Sequence, residues 1–246
     1  MRAVLSGIGW VTAAGIGRGR RGDAFGVMHG PLPKLTRKTA LEHPYDRFGR
    51  MDEYSKLGLT AISFALQDAA LAERRQGRSI GLIASTLHGC LKTDLDYFDT
   101  VTPQGGLLAS PHLFAYTLPN SFLGEAAIVF GLSGTSYVIM ERSPWGLTAL
   151  RLALLSLAGQ EHEMMLAGVC DTGGRPPFTT EDACLPGAVF LLLECESRSR
   201  ATPYGSVVLD EEGAVFFNGA EKGNVIELVQ GCLEGHANQT HLSQLA

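Results

Sequence analysis

The sequence has few charged residues and no long uninterrupted apolar run. Charged side chains make up 18% of its 246 residues, whereas an average soluble chain has roughly 25%. Its most apolar segments, at residues 147–157 and 185–193, are shorter than the stretch of about 20 apolar residues that crosses a bilayer. The first residues are glycine-rich and lack the pattern of a signal peptide. We therefore expect a cytoplasmic protein without a membrane span.

Cysteine pairs and clusters of metal ligands are lacking as well. The five cysteines show no Cys-x-x-Cys spacing and are odd in number, which argues against a disulfide framework or a thiolate zinc site. Seven histidines are scattered without a His-Glu-x-x-His motif. The sequence therefore predicts neither a disulfide framework nor a metal site. The cysteines are Cys90, Cys170, Cys184, Cys195 and Cys232.

One segment matches the spacing of a nucleotide-binding motif but lacks the strand and helix that the motif needs around it. Gly17-x-Gly19-x-x-Gly22 has the spacing of a dinucleotide-binding loop, which works at a turn from a strand into a helix. The preceding strand is predicted at Ala3–Ile8, well before the motif, and glycine and proline follow the motif where a helix would be needed. No cofactor is therefore predicted.

The charge of the chain is negative overall but positive in one stretch. Twenty basic and 25 acidic residues give a net charge of −5, which argues against nucleic acid as a partner. Residues 18–50 reverse this balance with eight basic and three acidic residues. The stretch lacks apolar periodicity, so we predict an irregular excursion. Its basic side chains form either an ordinary solvated surface or a patch that attracts an acidic partner.

Apolar strands alternate with helical patterns through the rest of the chain. Residues 52–71 have apolar side chains at helical spacing. Short continuous apolar segments predict strands at residues 79–84, 137–140, 164–169 and 188–193, the first of them buried. Such strands between helices are typical of a parallel or mixed sheet that is covered on both faces. We predict one layered α/β domain with about five core strands over residues 1–210. A C-terminal appendage follows over residues 211–246, with a helix at Val225–Leu233.

The segment Tyr137–Gly146 joins a predicted strand to an apolar helix predicted at Pro144–Ala158. A sharp turn from a strand into a buried helix is where α/β enzymes display a nucleophile, and Ser143 stands at this turn. Serine followed by proline is also typical of the N-cap and first position of a helix. No acid–base partner can be assigned to Ser143, so the cap is the favoured interpretation and the nucleophile is the alternative.

Nearly the whole chain resembles the N-terminal half of a β-ketoacyl-acyl-carrier-protein synthase, which has a thiolase-like α/β fold. No single block of residues is decisive, but the order and spacing of the blocks are specific. These blocks are Val4–Thr12, Arg50–Asp52, Gly81–Gly89, Ser110–Pro111, Leu118–Asn120, Phe130–Gly134 with Tyr137, Met164–Gly168 and Leu185–Glu194. The resemblance implies half of a thiolase-like fold, with a layered mixed sheet and helices on both faces.

Two departures from the family indicate that this chain does not catalyse condensation by itself. Ser143 stands where the family has its nucleophilic cysteine, and bulky Trp145 replaces a small residue. A serine without a base is far less nucleophilic than a thiolate at a helix N-terminus. The two catalytic histidines of the family belong to the C-terminal half, which the chain does not resemble. Condensation needs both the nucleophile and the histidines.

This pattern resembles the chain-length factors, which are ketosynthase-like subunits without the cysteine. The resemblance implies a heterodimer with a full-length ketosynthase that elongates a fatty acid or polyketide on an acyl carrier protein. The carrier would be bound directly or through the partner, with the basic stretch at residues 18–50 as a candidate docking surface. The short form of the chain is similar to subunits of aryl polyene pathways.

The resemblance also assigns candidate residues to the interface and to the acyl tunnel beside it. The family pairs one strand across its twofold axis, and the equivalent residues are Tyr137, Val138, Ile139 and Met140. Segments that reach the acyl tunnel in the family correspond to Leu87, Leu91, Asp94, Leu95, Phe98, Leu113, Phe114 and Tyr116. Ordinary core or interface packing is the alternative role of these eight side chains.

Two other functions stay open. Ser143 could serve a transferase or thioesterase as an acyl-accepting nucleophile, or the chain could form a homodimer that binds acyl groups or has a structural role. The paired subunit is favoured because an exposed strand edge must be covered and because Ser143 has no assignable base. We expect poor solubility or self-association when the chain is made alone.

Overall fold

The computed structural model describes residues 1–73, 75, 77–173, 185–196 and 203–244. Its strands are β1 (Arg2–Thr12), β2 (Gly15–Arg18), β3 (Ile80–Thr86), β4 (Ser136–Met140), β5 (Met164–Asp171), β6 (Gly187–Glu194), β7 (Gly205–Leu209), β8 (Val215–Phe217) and β9 (Ala220–Lys222). Its α-helices are α1 (Arg37–Ala40), α2 (Glu53–Asp68), α3 (Leu91–Val101), α4 (Pro111–Phe114), α5 (Ser121–Phe130), α6 (Thr148–Ala158) and α7 (Val225–Gln244). Short 3₁₀ helices lie at Gly19–Arg21, Asp46–Arg50 and Thr102–Gln104.

Within these residues, one mixed sheet of nine strands forms the centre of the molecule. The strands follow the order β4-β3-β5-β6-β1-β7-β8-β9, and β2 pairs with β1. Strands β4, β3 and β5 are parallel to one another, whereas β6 runs antiparallel to both β5 and β1. The predicted α/β class is confirmed, but the sheet exceeds the predicted five strands. The additional strands β2, β7, β8 and β9 have three to five residues each, too short for the apolar pattern to mark.

Both faces of the sheet are covered, as continuous apolar strands require. All eight residues of β6 are buried, and successive side chains point to opposite layers because a strand alternates with a period of two. Phe190 and Leu192 belong to the core formed with α2 and α5. Val189 and Leu191 belong to the core formed with α6 and α7. The sheet is therefore a central layer between two helical layers.

Helix α2 lies directly against the backbone of β1, and two glycines make that contact possible. A methyl group added at Gly9 would lie 2.2 Å from the Ala65 nitrogen and 2.4 Å from the Ala61 oxygen. One added at Gly7 would lie 2.3 Å from the Ala65 oxygen. These obstacles are backbone atoms of α2, which a rotamer change cannot move. The separation of helix and sheet is thus set by the absence of side chains at both positions.

Two predicted helix boundaries are wrong. The helix expected at Pro144–Ala158 begins at Thr148, for a reason that lies in the turn described below. The C-terminal helix extends from Val225 to Gln244, beyond the predicted end at Leu233, because its later residues are polar but still helix-compatible. The predicted appendage at residues 211–246 contains β8 and β9, which continue the same sheet. Among the described residues, no helix combines the length and hydropathy that a bilayer crossing requires.

The contact between β1 and α2 yields a prediction. Replacement Gly9→Ala should lower the free energy of unfolding by about 1–3 kcal/mol, the usual cost of overpacking. Gly124→Ala is the matched control, because an added methyl group there meets no atom within 4 Å in the exposed part of α5. The control should be neutral or stabilising by up to about 1 kcal/mol. Denaturant unfolding followed by circular dichroism measures both changes, and equal effects would contradict the steric argument.

Candidate functional site

The turn between β4 and α6 presents Ser143 at the surface. The Glu141 amide donates a hydrogen bond to the Thr86 oxygen at 2.7 Å, which holds the end of β4 against β3. The Gly146 amide closes the turn on the Ser143 oxygen at 3.1 Å. Ser143 is exposed, and its hydroxyl has no hydrogen-bond partner within the part of the chain that the structure describes. No side chain of the described residues is therefore hydrogen-bonded to this hydroxyl as a general base would be.

The carboxylate of Glu141 caps α6. Its Oε1 atom accepts hydrogen bonds from the Arg142 amide at 3.1 Å and the Ser143 amide at 3.5 Å. Its Oε2 atom accepts one from the amide of Thr148, the first residue of α6, at 3.3 Å. Sequence reasoning missed this residue. The only available signal was a carboxylate directly after a predicted strand and before a predicted helix.

The interpretation of Ser143 as the N-cap of α6 is wrong. The cap position belongs to Leu147, and no side chain at that position makes a capping bond. Trp145 has a φ of +60°, a left-handed conformation that no α-helix accommodates. Its indole is buried in the core formed with α6. Because the backbone at this buried residue is not helical, α6 begins only at Thr148.

A second buried carboxylate organises the neighbouring strand ends. Asp171, the last residue of β5, accepts hydrogen bonds from the Thr86 hydroxyl and from the amides of Leu87 and His88, each at 2.9 Å. Burial raises the pKa of Asp171, although the hydrogen bonds and nearby His88 oppose that rise. Sequence reasoning also missed this residue. Asp171 fixes the loop that leads from β3 into α3.

The eight candidate tunnel residues lie on two neighbouring segments. Leu87, Leu91, Asp94, Leu95 and Phe98 belong to α3 and the loop before it, whereas Leu113, Phe114 and Tyr116 belong to α4 and the residue that follows its cap. The segments are joined by the Ser110 amide, which donates to the Thr100 hydroxyl at 3.0 Å. The rings of Tyr97 and Phe114 have centroids 5.5 Å apart. The structure thus brings the candidates together in one helical hairpin.

Burial divides these candidates into three groups. Phe98 and Phe114 are 60% and 62% exposed. Tyr116 is buried in the core that contains α2 and α5, and burial raises its pKa, so core packing describes its environment. The half-buried candidates are Leu87, Leu91, Asp94, Leu95 and Leu113.

Several large apolar side chains of the hairpin and of the segments after its helices are exposed. We define the apolar surface as the exposed side chains of Phe98, Leu107, Leu108, Phe114 and Leu118. Among the described residues, strand β4 forms an edge of the sheet, since it pairs with β3 on one side and is terminal in the strand order. None of the five residues of β4 is buried, and Met140 is 62% exposed. An unpaired strand edge and large exposed apolar side chains are each typical of surface that a partner covers.

Two cysteines of the described residues lie in surroundings that favour the protonated thiol. Burial and the nearby carboxylate of Asp94 raise the pKa of Cys90 to about 12. Burial also raises the pKa of Cys232. A thiol in such surroundings stays protonated at neutral pH and is a poor nucleophile. Cys184 lies outside the described residues.

The described residues contain no group of three or more histidine, cysteine or acidic side chains able to hold a metal ion. The motif Gly17-x-Gly19-x-x-Gly22 begins in the short strand β2 and ends after a 3₁₀ helix. A side chain at Gly19 would lie 2.2 Å from the Tyr204 hydroxyl. This glycine therefore makes room for a buried tyrosine of the protein.

Comparison with curated proteins identifies relatives among polyketide synthases. The chain is 25% identical over 202 residues to a protein of Streptomyces halstedii described as putative polyketide beta-ketoacyl synthase 1, which covers 71% of this chain and 47% of the relative. A protein of the same description from Streptomyces virginiae is 28% identical over 135 residues, which is 52% of this chain and 32% of the relative. The chain thus spans less than half the length of these relatives.

Solved structures show the same fold at low sequence identity. The ishigamide ketosynthase/chain length factor superposes with a TM-score of 0.65 at 18% identity, over 84% of this chain and 66% of the other. The ketosynthase ApeO in complex with its chain length factor ApeC, from Xenorhabdus doucetiae, gives a TM-score of 0.52 at 18% identity over 79% of both chains. A β-ketoacyl synthase from Burkholderia phymatum gives 0.61 at 20% identity, over 84% of this chain and 63% of the other.

These likenesses agree with a family model and with the described geometry. The model for the N-terminal domain of β-ketoacyl synthases matches residues 37–177, more than half of the chain. The matched region includes the turn at Ser143, the hairpin of α3 and α4, and the edge strand β4. The chain therefore belongs to the family of β-ketoacyl synthase N-terminal domains and has their thiolase-like fold.

Proposed function

We propose that this chain is a non-catalytic subunit of the chain-length-factor type, which pairs with a full-length ketosynthase during fatty acid or polyketide elongation. The observation that carries the proposal is that the described residues leave both the edge of β4 and the apolar surface uncovered. A strand edge and large exposed apolar side chains are costly in water, and a paired sheet removes both costs. Solved structures of similar fold include a ketosynthase in complex with a chain length factor, which supports a partner of this class.

The chemistry of the turn supports a role without catalysis. No side chain of the described residues is hydrogen-bonded to the Ser143 hydroxyl as a base would be. The amides of Glu141, Arg142 and Ser143 already donate to the Thr86 oxygen or to the Glu141 carboxylate. The thiol of Cys90 is protonated at neutral pH because its pKa is raised. Acyl transfer needs an activated nucleophile together with groups that stabilise an oxyanion. We infer that the partner ketosynthase supplies both.

The hairpin of α3 and α4 is the part that would contact the growing chain. Its half-buried side chains Leu91, Leu95 and Leu113 are apolar, and an acyl chain favours such a lining. Phe98 and Phe114 extend from the same hairpin into solvent, so a partner would complete the wall around them. We infer that the size of these side chains limits the length of the product.

The basic stretch offers a docking surface for an acidic carrier protein. Arg37, Arg47 and Arg50 lie at or near the surface of this stretch. Arg47 also contacts the buried carboxylate of Glu125 in α5 at 2.5 Å, which fixes the adjacent 3₁₀ helix. A positive surface speeds the encounter with an acidic partner. We propose an aryl polyene type of product because of the resemblance to subunits of those pathways.

Pairing with a ketosynthase yields a prediction on the apolar surface. Phe114→Asp should weaken the complex at least about tenfold, because a carboxylate would lose its water in the apolar centre of the interface. Leu155→Asp on α6 is the matched control, since Leu155 is an exposed apolar side chain (44%) outside the apolar surface. Copurification with a tagged ketosynthase, followed by titration of the purified proteins, measures both variants.

Three outcomes would contradict the pairing. Equal affinity of both variants would show that the apolar surface is not the interface. A stable homodimer without affinity for ketosynthases would favour the acyl-binding or structural homodimer. A covalent acyl adduct on the chain, seen by intact-mass analysis and lost in Ser143→Ala, would favour the acyltransferase or thioesterase.

The role of the hairpin yields a second prediction. Leu91→Trp should shorten the products of the reconstituted complex and Leu91→Ala should lengthen them, because Leu91 is half-buried at the start of α3. Lys92→Ala is the control on the same helix, since Lys92 is exposed and pairs with Asp96 at 2.8 Å. Mass spectrometry of carrier-bound products gives the chain length. An unchanged distribution in both Leu91 variants would remove this residue from the tunnel.

A further inference from the structure

The turn before α6 binds the carboxylate of one of its own residues, Glu141. The Glu141 carboxylate accepts hydrogen bonds from three backbone amides, those of Arg142, Ser143 and Thr148. The amides at a helix N-terminus carry partial positive charge and favour an anion. In acyl transfer, such amides stabilise the oxyanion and lower the pKa of a nucleophile. In this chain, the Glu141 carboxylate occupies the Thr148 amide at the start of α6 and two amides of the preceding turn.

A glycine makes the room for this carboxylate. A methyl group added at Gly146 would lie 2.7 Å from both the Cδ and Oε2 atoms of Glu141. Gly146 is buried, and its φ does not lie in the left-handed region. Its missing side chain therefore serves the close approach of the carboxylate. The amide donors and this space are two independent features that both fit Glu141.

We propose that Glu141 is a built-in substitute for the oxyanion, which occupies the amides of Arg142, Ser143 and Thr148 in the turn before α6 and so keeps position 143 from accepting an acyl group. The inference rests on the proposed function and deepens it, because it assigns the lack of reactivity to a second residue besides the serine. A negative charge beside position 143 also opposes the formation of a second one there. Glu141 is thus a positioning residue, and its backbone and side chain together join β3, β4 and α6.

A cysteine at position 143 can test the effect of the Glu141 charge, because the reactivity of its thiol depends on whether the thiol is protonated. In the variant Ser143→Cys, the nearby carboxylate should keep the thiol protonated and slow to react with iodoacetamide at pH 7. Adding Glu141→Gln removes the charge but keeps the shape of the side chain. Alkylation at position 143 should then become about tenfold faster or more, as for a thiolate freed from a neighbouring like charge. Mass spectrometry of the peptide that contains position 143 separates this reaction from those of the other cysteines.

The matched control combines Ser143→Cys with Glu196→Gln. Glu196 pairs with Arg2 and lies just after the last residue of β6, Glu194. The first residue of β6, Gly187, lies near Trp145. Glu196 is therefore at the end of β6 that is away from the turn. The control should react at the rate of Ser143→Cys alone. Equal rates in all three proteins, with circular dichroism showing that each is folded, would overturn the proposal.

Chemical rescue provides a second measurement that needs no thiol. Glu141→Ala should be less stable to heat than the unmodified chain, and acetate should restore part of the loss because it can occupy the vacated amides. Chloride at equal ionic strength should not restore it, and acetate should leave the unmodified chain unchanged. Absence of rescue in a folded Glu141→Ala protein would contradict the proposal. Both measurements use the chain alone, so their failure is distinguishable from a failure to bind a ketosynthase.

Discussion

The close packing of α2 on the backbone of β1 determines how the rest of the molecule is arranged. Gly7 and Gly9 bring the helix against the strand itself, so the sheet is covered on this side by a layer only one helix thick. The pairing of β1 with β6, and of β6 with β5, then places the parallel strands at one end of the strand order. The hairpin of α3 and α4 follows β3 along the chain, and the turn at Ser143 follows β4. Packing at the centre of the sheet therefore helps to position the candidate residues that follow its parallel strands.

Two of the three parallel strands, β4 and β5, bring a carboxylate to their carboxyl ends, and the two carboxylates have different roles. Asp171 is buried and holds the loop that starts α3, so it positions the hairpin that we assign to the acyl chain. Glu141 lies after the edge strand and caps α6, so it controls the turn at Ser143. Both carboxylates act through backbone amides, so each has a structural role in the segment that follows its strand.

The sequence predicted the strands that are continuous and apolar, because burial on both faces leaves a clear pattern. It also predicted the turn at Ser143 and grouped the residues of the α3–α4 hairpin through their family resemblance. The start of α6 was out of reach, since the left-handed conformation of Trp145 occurs at a residue type that rarely adopts it. The cap by Glu141 was equally hidden, because its contact with Thr148 depends on how the intervening residues turn. Short strands such as β8 and β9 are held by pairing with neighbours, which composition does not encode.

The proposed function places different physical constraints on the apolar surface and on the turn. At the apolar surface, exposed side chains such as Phe98 and Phe114 are unfavourable until a partner covers them, so complementarity to that partner would maintain them. At the turn, amides that no substrate oxyanion reached would need another acceptor. The Glu141 carboxylate satisfies the amides of Arg142, Ser143 and Thr148, and Gly146 provides the space it needs. Under our proposal, the contacts that stabilise the turn also make it unsuitable for acyl transfer, which would give a physical reason for the division of labour between this subunit and a ketosynthase.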